Sequence, residues 1–580
     1  MSRPPSAVRR GWPRLPVLDW GRRYDRETLA ADAVAAMVVI VMLVPQSLAY
    51  ALLAGLPPET GLYASMAPLL LYALLGSSRA LAVGPVAIVS LMTAAAIGEV
   101  APAGSDQQAL AALTLAFLSG AILIAMGLLR MGWLASFLSH PVISGFVSAS
   151  ALLIATGQLK SLLGVAVEGH TLPAMLASLA RHVSDLHPLT LALGLATILY
   201  LAWARRGFHA LLRRAGLPER GAALLSRAAP VLAVIVTTVL AWACGWAEQG
   251  VRVVGHVPQG LPPLTQPAWD AALWRQLALP ALLISVVGFV ESVSVAQTLA
   301  ARRRERVDPD QELMALGAGN LSAAFTGAFP VTGGFARSVV NFDAGARTPA
   351  AGAYAALGLL LAALGLTPLL HHLPHAVLAA TIIVAVLPLV DAGLALRTWR
   401  YSKSDFAALA ATLLATLACG VEIGLLGGVG MSLALYLWRT SRPHIAIVGL
   451  MPGTEHFRNE QRHAVLTSPR LLGLRVDESL YFANARNLED RVNDAVARHP
   501  GLEHVVLQCS AINDIDASAL ESLEAIDHRL GEAGITLHLS EVKGPVMDRL
   551  QGTGFLRELS GRVFLTHYQA VSELTPELLR

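Results

Sequence analysis

The sequence predicts an all-α polytopic membrane domain of fourteen spans, built as two inverted seven-helix repeats, followed by a small cytoplasmic α/β domain. Three observations carry this. Of the 580 residues, 54% are hydrophobic and 14% charged, with a mean hydropathy of +0.56, whereas soluble globular chains are about 25% charged. Up to about residue 440 the apolar residues gather in blocks approaching the ~20 residues that a helix needs to cross a bilayer. After Arg442 the composition changes, and the tail alternates between strand-like and helix-like stretches. The net charge of +3 is small and points to no nucleic-acid partner.

Taken in order, residues 1–30 are basic and Pro-rich (MSRPPSAVRRGWPRLPVLDWGRRYD). They lack the apolar core and small-residue cleavage site of a secretory signal and read as a cytoplasmic leader. Residues 31–440 form the membrane domain. Its spans are expected near 33–52, 60–76, 83–98, 109–129, 141–158, 188–204, 228–246, 277–300, 312–328, 333–344, 348–369, 375–391, 405–419 and 421–438. A linker is expected at 441–455 and the α/β domain at 456–575. There HVVLQC (504–509) and ITLHLS (535–540) read as strands. Between them ASALESLEAIDHRLGEAG (517–534) reads as a helix, with Leu520, Leu523, Ile526 and Leu530 at steps of three and four.

Orientation follows from the cations. With the N-terminus inside, the cytoplasmic side collects Arg22, Arg23, Arg79, Arg130, Arg205, Arg206, Arg213, Arg214, Arg302 to Arg304, Arg306, Arg347, Arg397, Arg400, Lys403, Arg439 and Arg442. The other side receives Lys160, Arg181, Arg252 and Arg275. This asymmetry predicts an even number of spans in a cell inner membrane, with both termini cytoplasmic. Cys244, Cys419 and Cys509 are far apart, with no CxxC spacing. All three read as small buried hydrophobes, and no metal or cofactor is expected.

The third and tenth spans are short and interrupted: LAVGPVAIVSL (81–91) and PVTGGFARSVV (330–340). Seven spans separate them, an odd number, so the two halves are inverted, and paired broken helices in such a repeat point to a transporter binding site. The first four N–H groups of a helix have no internal partner and carry roughly half a positive charge. Two such ends facing one another make an anion site. Pro85 fits the first position of the third span. The candidate substrate residues are Gly84, Pro85, Val86 and Ala87 on one side and Gly333, Gly334, Phe335, Ala336 and Arg337 on the other. Arg337 in mid-membrane calls for either a carboxylate partner, Glu291, or a bound anion. Glu291 lies on a stripe with Ala281, Ser285, Gly288, Ser294 and Thr298 and is the candidate for a coupling H⁺ or Na⁺. Gln46 in the first span either bonds substrate or caps a broken backbone. Tyr50, Tyr63 and Ser90 are weaker candidates, and Gly420, Gly424 and Gly428 suggest close helix packing.

VPQSLAYALLAGLPPETGLYAS (44–65), SSRALAVGPVAIVSL (77–91) and VTGGFARSVVN (331–341) resemble the sulfate permease family, solute carrier family 26, and the tail resembles a STAS domain. The resemblance covers nearly the whole chain. It implies a core domain (spans 1–4 and 8–11) that moves against a gate domain (spans 5–7 and 12–14) as an elevator, commonly in a homodimer. It implies a small inorganic anion as substrate, with Arg337 at the anion site and Glu291 at the coupling position. Relatives often have SFSRS where this chain has GFARS, so Ala336 removes a hydroxyl, and no acid stands beside Gln46. In the tail, Ser518 follows Asp516 at the position where anti-sigma antagonists are phosphorylated, or else it caps the helix N-terminus without regulation, and the analogy implies a cytoplasmic protein partner of the tail. The expected activity is secondary active transport of sulfate. The alternatives are bicarbonate or a dicarboxylate, an uncoupled anion channel, or a membrane anion sensor, and no catalytic constellation suggests an enzyme.

Overall fold

In this computed structural model the described residues are 15–579, apart from 103, 137–138, 166–168, 170, 217, 219–221, 223–225, 227–228, 257 and 366. Most of the predicted leader's basic stretch, residues 1–14, thus lies outside the described residues. The chain divides into two compact units, Met1–Ser432 and Leu433–Arg580.

In the first unit a short α1 (Pro16–Gly21) precedes α2 (Arg26–Leu53), which Asp25 caps by accepting the Thr28 N–H at 2.8 Å. The span expected at 60–76 is split into α3 (Pro58–Tyr63) and α4 (Ala67–Leu75). Pro68 explains the break: inside one continuous helix its ring would meet the carbonyl four residues back, but in the first turn of a new helix it is tolerated. Then come β1 (Val83–Gly84), α5 (Ala87–Val100), α6 (Asp106–Leu128), α7 (His140–Leu163), α8 (Leu172–Arg181) and α9 (Pro188–Trp203). A π-helical turn leads from α9 into α10 (His209–Arg214), followed by α11 (Ala229–Ala243), α12 (Ala271–Arg303) and α13 (Pro309–Phe325). The second interrupted segment is β2 (Thr332–Gly333) and α14 (Phe335–Asp343), followed by α15 (Ala350–Gly365). The last helices of this series are α16 (His375–Val386), α17 (Ala392–Tyr401), α18 (Lys403–Cys419) and α19 (Val421–Thr440).

Among the described residues seven helices are long and apolar enough to cross a membrane. The helix α17 was not expected. Asp391 ends the preceding segment and starts a new helix by accepting the Leu394 N–H at 2.7 Å. Glycine sets the closest helix contacts. A Cβ on Gly120 of α6 would stand 2.7 Å from the Leu321 nitrogen of α13. One on Gly424 or Gly428 would stand 2.0 or 2.4 Å from the hydroxyls of Thr416 or Thr412, which is the close packing expected of those glycines. Of the cysteines only Cys509 is buried. Cys244 and Cys419 are exposed, because an apolar span presents part of its surface outward rather than to a core.

The second unit holds a six-stranded sheet ordered β4-β3-β5-β6-β7-β8. Its strands are β3 (Ile445–Leu450), β4 (Phe457–Asn459), β5 (Leu471–Val476), β6 (His504–Gln508), β7 (Thr536–Ser540) and β8 (Val563–Phe564). The helices are α20 (Ala485–Arg498), α21 (Ala517–Glu532), α22 (Gly544–Gln551), α23 (Phe555–Glu558) and α24 (His567–Leu574). Strands β5 to β8 are parallel, and β3 runs antiparallel to β4 and β5. The stretch 441–455 is therefore more than a linker. Its β3 pairs Ile445 with Val476 and Val448 with Gly473, and its apolar residues belong to the sheet's core.

Two buried histidines sit in this sheet unit. Burial, with His504 and Arg562 nearby, pushes His538 down to about 4, and its Nδ1 accepts the Arg562 N–H. Burial pushes His567 down to about 4 as well, and its Nδ1 lies 2.8 Å from the Ser540 hydroxyl. Both are neutral when folded but protonate in the unfolded chain below about 6.5, so their stabilisation is whole above that pH and fades toward pH 4. Hydrogen exchange at the amides of Val505–Leu507 and Leu537–Leu539, corrected for intrinsic rates, is expected to lose roughly tenfold or more in protection between pH 7.5 and 5. Unchanged protection would contradict neutral burial.

Candidate functional site

The two interrupted segments meet. Strands β1 and β2 form an antiparallel ribbon, Val83 opposite Gly333 and Gly84 opposite Thr332, extended by a hydrogen bond from the Gly334 N–H to the Ala82 carbonyl at 3.1 Å. Because the ribbon is antiparallel, α5 and α14 leave it in opposite directions, with their N-termini toward one another. The first intrahelical bonds run from Ser90 to Val86 and from Ser338 to Gly334. No side chain caps either helix. The amides of Ala87, Ile88 and Val89, and of Phe335, Ala336 and Arg337, are thus uncommitted within their helices. Pro85 does not take the first helical position as expected. It precedes the cap residue Val86, because the ribbon keeps this stretch extended before the helix begins at Ala87.

Arg337 stands at this junction, 2% exposed. Neither Nη1 nor Nη2 has a hydrogen-bond partner, and neither does the buried Glu291 Oε2. The possible Arg337–Glu291 tie is therefore not made, although each charge lies within electrostatic reach of the other, and Tyr50 within reach of both. Glycines make room for the guanidinium. A Cβ on Gly84, whose φ is +153°, would stand 2.9 Å from Arg337 Nη1, and one on Gly334 would stand 2.9 Å from Nη2. Phe335 and Ala336 are exposed, so this end of α14 is open, whereas Gly84, Pro85, Val86, Ala87, Gly333 and Gly334 are buried.

A second layer of short polar side chains fixes the ribbon. Ser292 accepts the Gly333 N–H at 2.8 Å and bonds Thr332 Oγ1 at 2.7 Å, while Thr332 donates to the Gly288 carbonyl at 2.6 Å. Asn320 holds both backbone groups of Val331, at 2.8 and 2.9 Å. Ser338 donates to the Gly334 carbonyl and accepts the Ala82 N–H. Ser65 approaches Gly84 and bonds Ser47 at 2.8 Å. The expected stripe on α12 is thus corrected. Gly288 and Ser292 face the ribbon, while Ser294 and Thr298 turn outward, since steps of 3.6 residues carry the inner face from Ser285 and Gly288 to Ser292. Gln46 is half-buried on α2, which runs through it unbroken, so no broken backbone is capped there.

Two buried carboxylates and a half-buried arginine hold the flanks. Glu312 accepts from Tyr72, from Ser77 N–H and hydroxyl, and from Ser78 N–H, at 2.7 to 3.0 Å, fixing the approach to β1. Asp32 accepts from Arg347 N–H, Thr348 N–H and Thr348 hydroxyl, fixing the chain after α14. Arg303 donates to the carbonyls of Phe342 and Ala346 and lies 4.2 Å over the Phe342 ring, closing the C-terminal end of α14. Sequence reasoning passed over these three. The adjacency of Ser292 to Glu291 and the placement of Asp32 and Glu312 at the heads of apolar runs are the signals that would have flagged the layer. In the tail, Asp516 rather than Ser518 caps α21, accepting the Ala519 N–H at 2.8 Å, and Ser518 is exposed at the second position of the helix. Asp wins the cap because Ser518 lies two positions too far along to reach the first free amides.

An unpaired guanidinium among facing helix N-termini, inside a bundle of membrane-crossing helices, defines an anion-handling membrane protein. Comparison with known proteins gives the family. Residues 29–412 match the sulfate permease family and 463–570 the STAS domain. The chloroplastic sulfate transporter 4.1 of Arabidopsis thaliana is 36% identical over 94% of this chain and 80% of its own length. The "Probable sulfate transporter MT1781" of Mycobacterium tuberculosis is 33% identical over 98% of this chain and 99% of its own. The murine solute carrier 26 family member A9 anion transporter, in an inward-facing state, superposes with a TM-score of 0.86 at 22% identity, covering 96% of this chain and 93% of that one. The chain belongs to the sulfate permease family. It is an anion transporter of fourteen spans in two inverted repeats with a C-terminal STAS domain, and not an enzyme.

A Cβ at Gly334 must displace the guanidinium. Gly334→Ala is expected to weaken anion binding by roughly 10- to 100-fold, the worth of one charged hydrogen bond, with an unchanged melting temperature. Isothermal titration of the purified protein reads the affinity and a thermal melt reads the stability, and wild-type affinity would show that the guanidinium's position is immaterial.

Proposed function

We propose that this protein is a secondary active transporter of sulfate, working by an elevator motion and coupled to H⁺ or Na⁺ through Glu291. The observation that carries the substrate reading is Arg337, buried without a partner between two sets of uncommitted amides. A buried cation of this kind costs at least ~2.5–3.5 kcal/mol, and a bound oxyanion offsets that cost with charge-assisted hydrogen bonds. The relatives named for sulfate support that anion over bicarbonate or a dicarboxylate.

The elevator reading is supported by where the contacts originate. Gly84, Gly334, Arg337, Ser65, Ser292 and Thr332 all come from α2 to α5, α12 and the β2–α14 segment, the elements assigned to the core. A site built by one body travels whole with that body. Coupling is supported by the partnerless Glu291 Oε2, an acceptor left open to a proton or a sodium ion. The distribution of Lys and Arg supports cytoplasmic termini in a cell inner membrane, and we read the working unit as a homodimer. Ser518, exposed in the first turn of α21, remains open to phosphorylation and to a protein partner of the STAS domain.

Proteoliposome uptake of labelled sulfate, with a competition panel of bicarbonate, chloride and fumarate, tests this reading. Arg337→Ala is expected to abolish saturable uptake while the oligomer keeps its gel-filtration volume; normal uptake by that variant would end the anion-site assignment. Glu291→Gln is expected to leave sulfate exchange in place but remove acceleration by a pH or Na⁺ gradient. Undiminished acceleration would remove Glu291 from coupling.

A further inference from the structure

Helix α17, ten residues long, is too short to cross a membrane by itself; it forms the C-terminal end of the candidate span His375–Tyr401 and is not packed all round. Leu394, Ala395, Thr398 and Ser402 turn toward the protein, where α17 packs on α7 and α18. Ala392, Leu396 and Trp399 follow one another at steps of four and three on a different side. Leu396 is 53% exposed and Trp399 48%, and Tyr401 at the helix end is 93% exposed. Next to this apolar strip stand Arg397 and Arg400. Lys403 places its ammonium 5.3 Å from the centre of the Trp399 ring. Arg397 has one distant acid, Asp391, at 4.0 Å. Among the described residues Arg400 and Lys403 have no acidic partner.

We propose that α17 is a docking surface for anionic phospholipid headgroups. Three features select a lipid surface over a soluble partner. The helix is tethered on both sides to predicted spans, so it is confined to the plane where headgroups lie. Its apolar strip is narrow and ends in Trp399, a side chain of the kind that settles at the boundary between acyl chains and water. Its two arginines, with Lys403 at the start of α18, sit beside that strip rather than opposite it, the arrangement in which an interfacial helix sinks its apolar side while the charges meet lipid phosphates. Trp399 is itself braced, its ring 4.9 Å from that of Phe406 on α18, so the strip is presented by a fixed side chain. The inference is independent of which anion is carried and of how Arg337 acts.

Native mass spectrometry of the purified full chain, equilibrated in mixed micelles of phosphatidylglycerol and phosphatidylcholine, reads it directly. The wild type is expected to retain phosphatidylglycerol over phosphatidylcholine by about tenfold. The triple variant R397Q/R400Q/K403Q is expected to lose that preference while binding both lipids. The double variant L396S/W399S is expected to bind less of both, at an unchanged gel-filtration volume. A wild type without preference, a triple variant that keeps it, or phosphatidylglycerol displaced by millimolar inorganic phosphate would each overturn the proposal, the last by showing a site for free anions.

Discussion

The structure is organised around a positive charge that the protein does not neutralise. Arg337 is almost wholly buried, and its two terminal nitrogens have no partner. Two helix ends, each worth roughly half a unit of positive charge, are aimed at the same place. Glu291 is near enough to be felt but does not bond it. A permanent ion pair would have been the cheaper arrangement for stability, since removing one partner of a buried pair leaves an uncompensated charge. In the proposed function the missing partner is the carried anion, which a site with excess positive potential can take up and release.

Holding such a junction together takes scaffolding that is itself fully bonded. Two residues of ribbon on each side would be marginal alone, so Ser292, Asn320 and Ser338 bond the backbone of the ribbon and its flanking residues from neighbouring helices. Farther out, Glu312 fixes the chain entering β1, while Asp32 and Arg303 fix the chain leaving α14. These charges are each matched by several donors or acceptors, whereas the terminal nitrogens of Arg337 have none. The same contrast distinguishes the tail, where surface pairs such as Arg529–Glu489 at 2.6 Å are solvent-exposed and weak.

Much of this was legible from residue order. The spans, the two interrupted segments, the strands at 504–509 and 535–540 and the role of Gly84, Gly334 and Arg337 as neighbours follow from hydropathy, glycine placement and a lone mid-membrane cation. What was not legible depended on contacts across hundreds of residues. The tie between Glu312 and Ser77, or between Asp32 and Thr348, leaves no periodic trace. The face of α12 was misjudged by a fraction of a turn, which exchanged Ser292 for Ser294. The break at residues 64–66 and the strand inside 441–455 were missed because a short apolar run reads alike as helix, strand or connection. Ser518 was given a cap that Asp516 takes, since the helix start is set by where the chain leaves Ile515, beside Leu480.

The central claim is that one oxyanion rests between the amides of Ala87–Val89 and those of Phe335–Arg337 with the guanidinium beside it. Crystals or grids of the protein equilibrated with selenate, a heavier isostere of sulfate, test it most directly through the selenium anomalous or difference signal. The account predicts a single strong peak at that junction, within hydrogen-bond distance of Arg337. Selenium found only elsewhere, with the junction closed by an Arg337–Glu291 pair, would contradict it.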